Sequence, residues 1–242
     1  LDQNRLNGIN YLNSASILNI AEDHLDYHKN ILSYRSSKFS IFKINSSLKL
    51  IDDESNNSVK NYDFIDETEL TCISSKNNFS DISYMITKTN FKKTEFQIFL
   101  NNPPFGQEIH KNKKYKFTCA LFPEFNISNL VFAICSIGFD EFSDKYVNDL
   151  SFIKLPKGRV ELIDNIPKNI IIDYAHNAHS FEVLLSSIKN YFENLILVFG
   201  FGGERDRSKR TKMLKIALKN SSKIFLTSDN SRSEVFKDTL KD

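Results

Sequence analysis

No run of the 242 residues reaches the roughly 20 consecutive apolar positions that a membrane-spanning helix needs, and the first residues lack the basic, apolar and small-residue succession of a secretory signal. A soluble protein with no membrane partner is expected. Neither sign of charge is in excess. The 32 Lys and Arg face 30 Asp and Glu, and a net charge of +2 supplies no chain-wide basic field for nucleic acid. Any anion site has to be local. Cysteine is scarce: Cys72, Cys119 and Cys135 lie far apart, without metal-ligand spacing, in hydrophobic surroundings such as Leu130-Val131-Phe132-Ala133-Ile134-Cys135. Buried reduced thiols and a cytoplasmic location are the expectation. There are only seven glycines, yet three of them fall within residues 200–203, so that loop needs either positive φ or a close backbone approach.

The hydrophobic 40% of the chain is enough for one large domain or two ordinary ones. Residues 30–43 place Ile31, Tyr34, Arg35, Lys38, Ile41 and Phe42 on one side at three- and four-residue intervals. This predicts a helix with Lys38 on or beside its inward face. Short β-rich runs at about 47–51, 69–74, 81–88, 94–100 and 114–120 are broken by Asn, Ser and Lys clusters and by Asn101-Asn102-Pro103-Pro104. They predict an antiparallel, hairpin-rich section. Asn126 to Gly138 reads as a largely apolar helix, and the polar stretch 139–150 with Pro156 marks a domain boundary.

The last ninety residues have another pattern: strand Asn169–Asp173, helix Ser180–Tyr191, strand Leu195–Phe199, helix Ser208–Lys219, strand Lys223–Thr227. Apolar strands alternating with amphipathic helices predict an α/β unit with a parallel sheet and right-handed crossovers. Ligands of such sheets gather at the carboxyl ends of the strands. Three polar segments fall there: Asp173-Tyr174-Ala175-His176, Gly200 to Asp206, and Ser228 to Arg232. A phosphate or carboxylate site is expected among them.

The segment Glu22-Asp23-His24-Leu25-Asp26-Tyr27-His28 crowds two histidines and three acids into seven residues. Three readings stay open on spacing alone. His24 and His28 at i,i+4 could hold a transition metal from one helical face. His24 alone could help hold Mg²⁺ beside phosphates, where one or two protein ligands suffice. The segment could also be a capped helix start with solvated charges.

Asn19-Ile20-Ala21-Glu22-Asp23-His24-Leu25-Asp26-Tyr27-His28, followed fourteen residues after His24 by Lys38, resembles the central-domain signature of the Mur ligases in its MurE form. Further matches run along the chain. Leu1-Asp2-Gln3-Asn4-Arg5 is similar to the family's Leu-x-Gln-x-Arg, and Phe125-Asn126-Ile127-Ser128-Asn129 to its Phe-Asn-x-x-Asn. Gly158-Arg159-Val160-Glu161, Asp173-Tyr174-Ala175-His176 and Phe199 to Arg210 resemble the motifs of its C-terminal domain. Asp229-Asn230-Ser231-Arg232 is similar to the Asp-Asn-Pro-Arg of enzymes that select meso-diaminopimelate, with Ser231 in place of proline.

This resemblance implies part of a central ATPase domain over residues 1–152 and the first part of a Rossmann-like, parallel-sheet C-terminal domain over 153–242. It implies an ATP-dependent ligase of bacterial peptidoglycan synthesis that adds meso-diaminopimelate to UDP-MurNAc-L-Ala-D-Glu through an acyl phosphate, with ATP and Mg²⁺. His24 and a carbamylated Lys38 are then the catalytic and metal-side residues. Asn129, Arg159, Asp173 and His176 belong to the nucleotide. Gln3, Arg5, Arg205, Lys209, Asp229, Asn230 and Arg232 contact the UDP-linked dipeptide or the diamino acid. A cytoplasmic monomer is expected. The family's phosphate loop does not occur in these 242 residues, and both ends read as cuts, so the piece alone is expected to lack ligase activity. The alternatives are a lysine-adding MurE relative, a folylpolyglutamate synthetase, a non-catalytic nucleotide-binding remnant, and a metal hydrolase built on His24 and His28.

Overall fold

The computed structural model describes residues 6–21, 30–104, 108–139, 149–163, 167–203 and 207–239. Contacts group the chain into two units, Leu1–Leu155 and Pro156–Asp242.

The first unit is built on a six-stranded sheet in the order β1-β2-β3-β4-β5-β6. Its strands are β1 Tyr11–Ile17, β2 Asn45–Asp52, β3 Leu70–Ser74, β4 Ile82–Thr89, β5 Thr94–Leu100 and β6 Lys113–Cys119. The expected hairpins occur only in the second half. β4, β5 and β6 pair antiparallel, whereas β1, β2, β3 and β4 run parallel. Parallel neighbours need a crossover; between β2 and β3 the polar residues supply it as short capped turns rather than a hairpin loop. Asp52, for example, accepts from the backbone N–H groups of Glu54 and Ser55, both at 3.0 Å, and so starts a one-turn helix. β1, an alternating Leu-Asn-Ser-Ala-Ser run, was not among the expected strands because its serines mask the apolar period.

Helix α1 (Ile31–Phe39) precedes β2 and begins at Asn30, whose side chain accepts from Ser33 N at 2.8 Å. The one-turn helix after Asp52 is α2 (Asp53–Asn56). α1 buries Tyr34 and Phe39, and Phe39 joins Ala15, Ile17, Phe42, Ile51 and Val59 in one core cluster. Of the two expected placements, Lys38 takes the one beside the inward face. It is exposed, with its ammonium 5.2 Å from the centre of the Tyr34 ring, one helical turn back. A lysine at the margin of an apolar stripe lays its stem on the buried ring and keeps its charge in water.

Helix α3 (Glu124–Ile137) covers the larger core cluster with Ile127, Leu130, Val131, Ile134 and Cys135, positions spaced three and four apart. Each such aliphatic side chain contributes roughly 1.5–3 kcal/mol by leaving water. The helix starts earlier than the sequence pattern implies, so Asn126 lies inside the first turn. Its amide donates to Phe122 O at 2.8 Å, and the side chain is buried. Cys119 and Cys135 are buried free thiols and Cys72 is partly buried, as the sparse, scattered cysteines imply.

In the second unit β7 (Glu161–Leu162) pairs antiparallel with β8 (Ile171–Ile172). Helix α4 (Ala178–Lys189), strand β9 (Ile196–Phe201), helix α5 (Ser208–Asn220), strand β10 (Lys223–Ser228) and the short α6 (Phe236–Thr239) follow. β9 and β10 are parallel, in register from Ile196 opposite Lys223 to Phe201 opposite Ser228. Phe181 and Leu185 of α4 and Met213 and Ala217 of α5 form a core against Leu197, Phe199, Phe201 and Ile224. The expected strand at 169–173 shortens to Ile171–Ile172. Among the described residues it pairs with β7 rather than with β9, because Ile163 N bonds Ile170 O at 3.0 Å and turns this segment into a hairpin. No described helix is long and apolar enough to cross a membrane.

Candidate functional site

In the second unit the segments after β8, β9 and β10 surround a cavity of about 550 Å³. Its lining includes Asp173, His176, Gly200, Lys209, Asn230 and Arg232. Most of the polar residues singled out in this part of the sequence meet there, those after β9 and β10 at the carboxyl ends of the parallel pair and Asp173 and His176 from the segment after β8.

The first loop is fixed by Asp173. Its Oδ2 accepts from Val160 N at 2.9 Å and its Oδ1 from Ala175 N at 2.7 Å. The Gly158–Val160 turn is tied down in this way, and it needs tying. Val160 is buried at φ +46°, a conformation costly for a β-branched residue, and Gly158 takes φ +70°. A second tether runs from Gly158 N to Glu161 Oε2 at 2.7 Å. The product of this turn is an exposed Arg159 whose guanidinium lies 5.3 Å from the centre of the Tyr174 ring. Asp173 thus orients Arg159 through the backbone beside it. Asn177 then starts α4 with a capping box: its side chain accepts from Ser180 N at 2.8 Å and Ser180 answers to the Asn177 backbone.

The second and third loops pack backbone to backbone. A Cβ on Gly203 would sit 2.7 Å from the Ser231 carbonyl carbon, and closer still to its oxygen. Gly203 N donates to Asn230 O at 2.9 Å. On Gly200 a Cβ would run into Thr227 O and lie 3.1 Å from Asp229 N. Of the two alternatives for the glycine-rich loop, close approach holds at both positions, since neither glycine has positive φ. What approaches is the neighbouring loop of the same protein. Arg232, by contrast, does take φ +50°. Asp229, Asn230 and Arg232 are exposed, and among the described residues their side-chain polar groups make no hydrogen bond within the protein.

The first turn of α5 braces both flanks. Lys209 Nζ donates to His176 O at 3.1 Å, bridging to the first loop. Arg210 binds Glu234 through two bonds of 2.8 Å, bridging to the third. The sequence motifs contained Arg210 but gave it no role, and nothing in a linear string pairs it with Glu234, 24 residues on. The structure also adds Tyr174 as the partner of Arg159.

In the first unit Asn129 is exposed near the start of α3 and its amide donates to Asn126 Oδ1 at 3.3 Å. Gln3, Arg5, His24 and Arg205 lie outside the described residues. No group of three or more His, Cys, Asp and Glu suited to a metal occurs among the described residues. The donor chemistry of Lys38 fits a hard cation only in carbamylated form, because an ammonium cannot ligate one and a carbamate supplies anionic oxygen. Its exposed position on α1 leaves space for that group.

The family model for the Mur ligase middle domain matches residues 1–137, and that for the Mur ligase glutamate ligase domain matches residues 158–242. The chain belongs to the Mur ligase family. This Mur ligase chain is 34% identical to the UDP-N-acetylmuramoyl-L-alanyl-D-glutamate–2,6-diaminopimelate ligase of Wigglesworthia glossinidia brevipalpis, over 97% of the chain and 47% of that protein. It is 35% identical to the enzyme of the same name from Rickettsia conorii, with the same coverage. Among solved structures, a diaminopimelate ligase of that name is similar with a TM-score of 0.59 and 25% identity, over 99% of this chain and 49% of that one. The MurF ligase of Thermotoga maritima in complex with ADP shares the fold at a TM-score of 0.64 and 12% identity, over 90% and 53% of the two chains. The Mur ligase chain spans about half the length of the curated relatives it matches.

Proposed function

We propose that the polypeptide carrying this chain is an ATP-dependent amide-bond ligase that joins meso-diaminopimelate to the D-Glu carboxylate of UDP-MurNAc-L-Ala-D-Glu in the bacterial cytoplasm. The observation that carries the reading is that Asn230 and Arg232 both line one cavity and their side chains make no hydrogen bond within the protein among the described residues. A guanidinium fork matches a second carboxylate, which diaminopimelate carries and lysine lacks. The names of the relatives agree with this choice.

Arg159, held by the Asp173 tether, and His176 would serve the nucleotide edge of the second unit. Phosphoryl transfer to the D-Glu carboxylate forms an acyl phosphate. The amine of the diamino acid attacks its carbonyl carbon, the C–N bond forms, and phosphate leaves with the C–O electron pair. Positioning and cationic stabilisation of charge are the main contributions, and no nucleophilic side chain is required. Mg²⁺, held by His24 and a carbamylated Lys38, would supply charge neutralisation at the phosphates.

A heavy-oxygen label in the D-Glu carboxylate of the substrate tests the intermediate. One labelled oxygen per turnover is expected in the released phosphate of the full-length protein. Unlabelled phosphate would overturn the acyl phosphate.

A further inference from the structure

The Arg210–Glu234 pair sits beside the cavity without lining it. The Arg210 side chain is 2% exposed and that of Glu234 7%, so both charges have left water. The geometry is a closed fork: Nη1 to Oε1 and Nη2 to Oε2, each 2.8 Å. Arg207 adds a second, more exposed cation 3.4 Å from Oε1. A buried ion pair contributes little net stability, because desolvation offsets the attraction, but two parallel charge-assisted bonds fix a direction. The pair anchors the end of a turn that has reason to drift. Residues 229–234 contain neither glycine nor proline, and Arg232 is held at φ +50°. Backbone bonds from Gly203 N to Asn230 O and from Glu234 N to Ser231 O, each 2.9 Å, also hold the turn, but neither fixes a side-chain direction.

We propose that Arg210 and Glu234 form a latch that sets amino-acid selectivity by holding Asn230 and Arg232 in register with the cavity. It acts from α5, which Met213 and Ala217 fasten to the core behind β9. Both are positioning residues, and their role rests on the diamino-acid ligase reading. Opening the latch lets Arg232 relax toward negative φ and withdraws the fork from the distal carboxylate, while the nucleotide side, braced separately through Asp173 and Lys209, stays in place.

The test uses the full-length protein, with Arg210→Lys, which keeps the charge and loses the fork, and with the double variant Arg210→Met and Glu234→Met. Arg210→Lys is expected to raise the KM for diaminopimelate by about tenfold or more, the equivalent of one bond of a bidentate pair. It should lower the diaminopimelate-to-lysine ratio of kcat/KM by a similar factor, and leave the KM for ATP unchanged. The double variant removes both buried charges, so its melting temperature is expected near that of the unmodified protein, while the lost selectivity does not return. Selectivity recovering together with melting temperature, or an unchanged ratio in Arg210→Lys, would overturn the latch. Failure of the ligase reading shows elsewhere, in the unmodified protein, as the absence of diamino-acid-dependent ADP release.

Discussion

Gly203→Ala probes the junction between the glycine-rich loop and the Asn230–Arg232 turn. The new methyl carbon would lie 2.7 Å from the Ser231 carbonyl carbon and 3.2 Å from Glu234 Cβ. Carbon contacts relax at about 3.5–4.0 Å, so the turn has to retreat by about 1 Å. The obstacle is backbone, which has no rotamer with which to evade it. Retreat breaks the 2.9 Å bond from Gly203 N to Asn230 O, a loss of about 1 kcal/mol, and overpacking adds about 1–3 kcal/mol. The sum is about 2–4 kcal/mol, concentrated in one loop pair. A displacement of this size at a positioning group costs up to about a hundredfold in rate or affinity. The assay is urea unfolding of the chain together with the KM for the diamino acid in the full-length protein. Gly8→Ala is the control, because Gly8 has φ +86° and open space around it, so it carries backbone strain without a clash. Wild-type stability and KM in Gly203→Ala would refute the close-packing argument.

Two further outcomes follow from the hydrogen bonds and burial. Asn177→Ala removes the α4 cap and is expected to lower unfolding stability by about 0.5–2 kcal/mol, with Asn177→Asp retaining most of it, as read by denaturant titration. Burial, together with Asp53 and Asp81 nearby, pushes the Cys72 thiol up to about 11 from an ordinary 9.0. The folded state therefore keeps the proton longer than the unfolded chain does, so this stabilisation is complete below pH 9 and is lost as pH rises through 11. Melting temperatures from pH 8 to 11 should fall more steeply for the wild type than for Cys72→Ser, and Cys72 should resist alkylation at pH 8.

The second unit was the more legible part of the sequence. Alternating apolar runs and amphipathic helices gave β9, α5 and β10 within a residue or two at either end, and the expected gathering of Asp173, His176, Asn230 and Arg232 around one cavity occurs, although β8 lies outside the parallel pair. β8 was overextended because Ile170 to Ile172 looks like a buried strand, and only the hairpin bond from Ile163 reveals its partner. In the first unit the same β-rich runs were legible as strands, but pairing direction depends on what the intervening residues do. Asp52 and Asp66 convert polar linkers into capped turns that return the chain in parallel. Lys38 shows the limit of periodicity, since three- and four-residue spacing locates a stripe but not which member at its margin stays in water. Arg210 and Glu234 were invisible for another reason. A surface-type residue in an amphipathic helix is buried here only because a loop from beyond the next strand folds over it.

The central claim, a ligase whose Asn230–Arg232 rim receives a second carboxylate, is tested most directly by the mass of the UDP-linked product formed by the full-length protein. The reaction contains ATP, Mg²⁺, UDP-MurNAc-L-Ala-D-Glu and equal concentrations of meso-diaminopimelate and lysine. The account predicts a product enlarged by one diaminopimelate residue, with lysine product at no more than a small fraction of it. A product carrying lysine alone, or no amide product while ATP is hydrolysed, would contradict it.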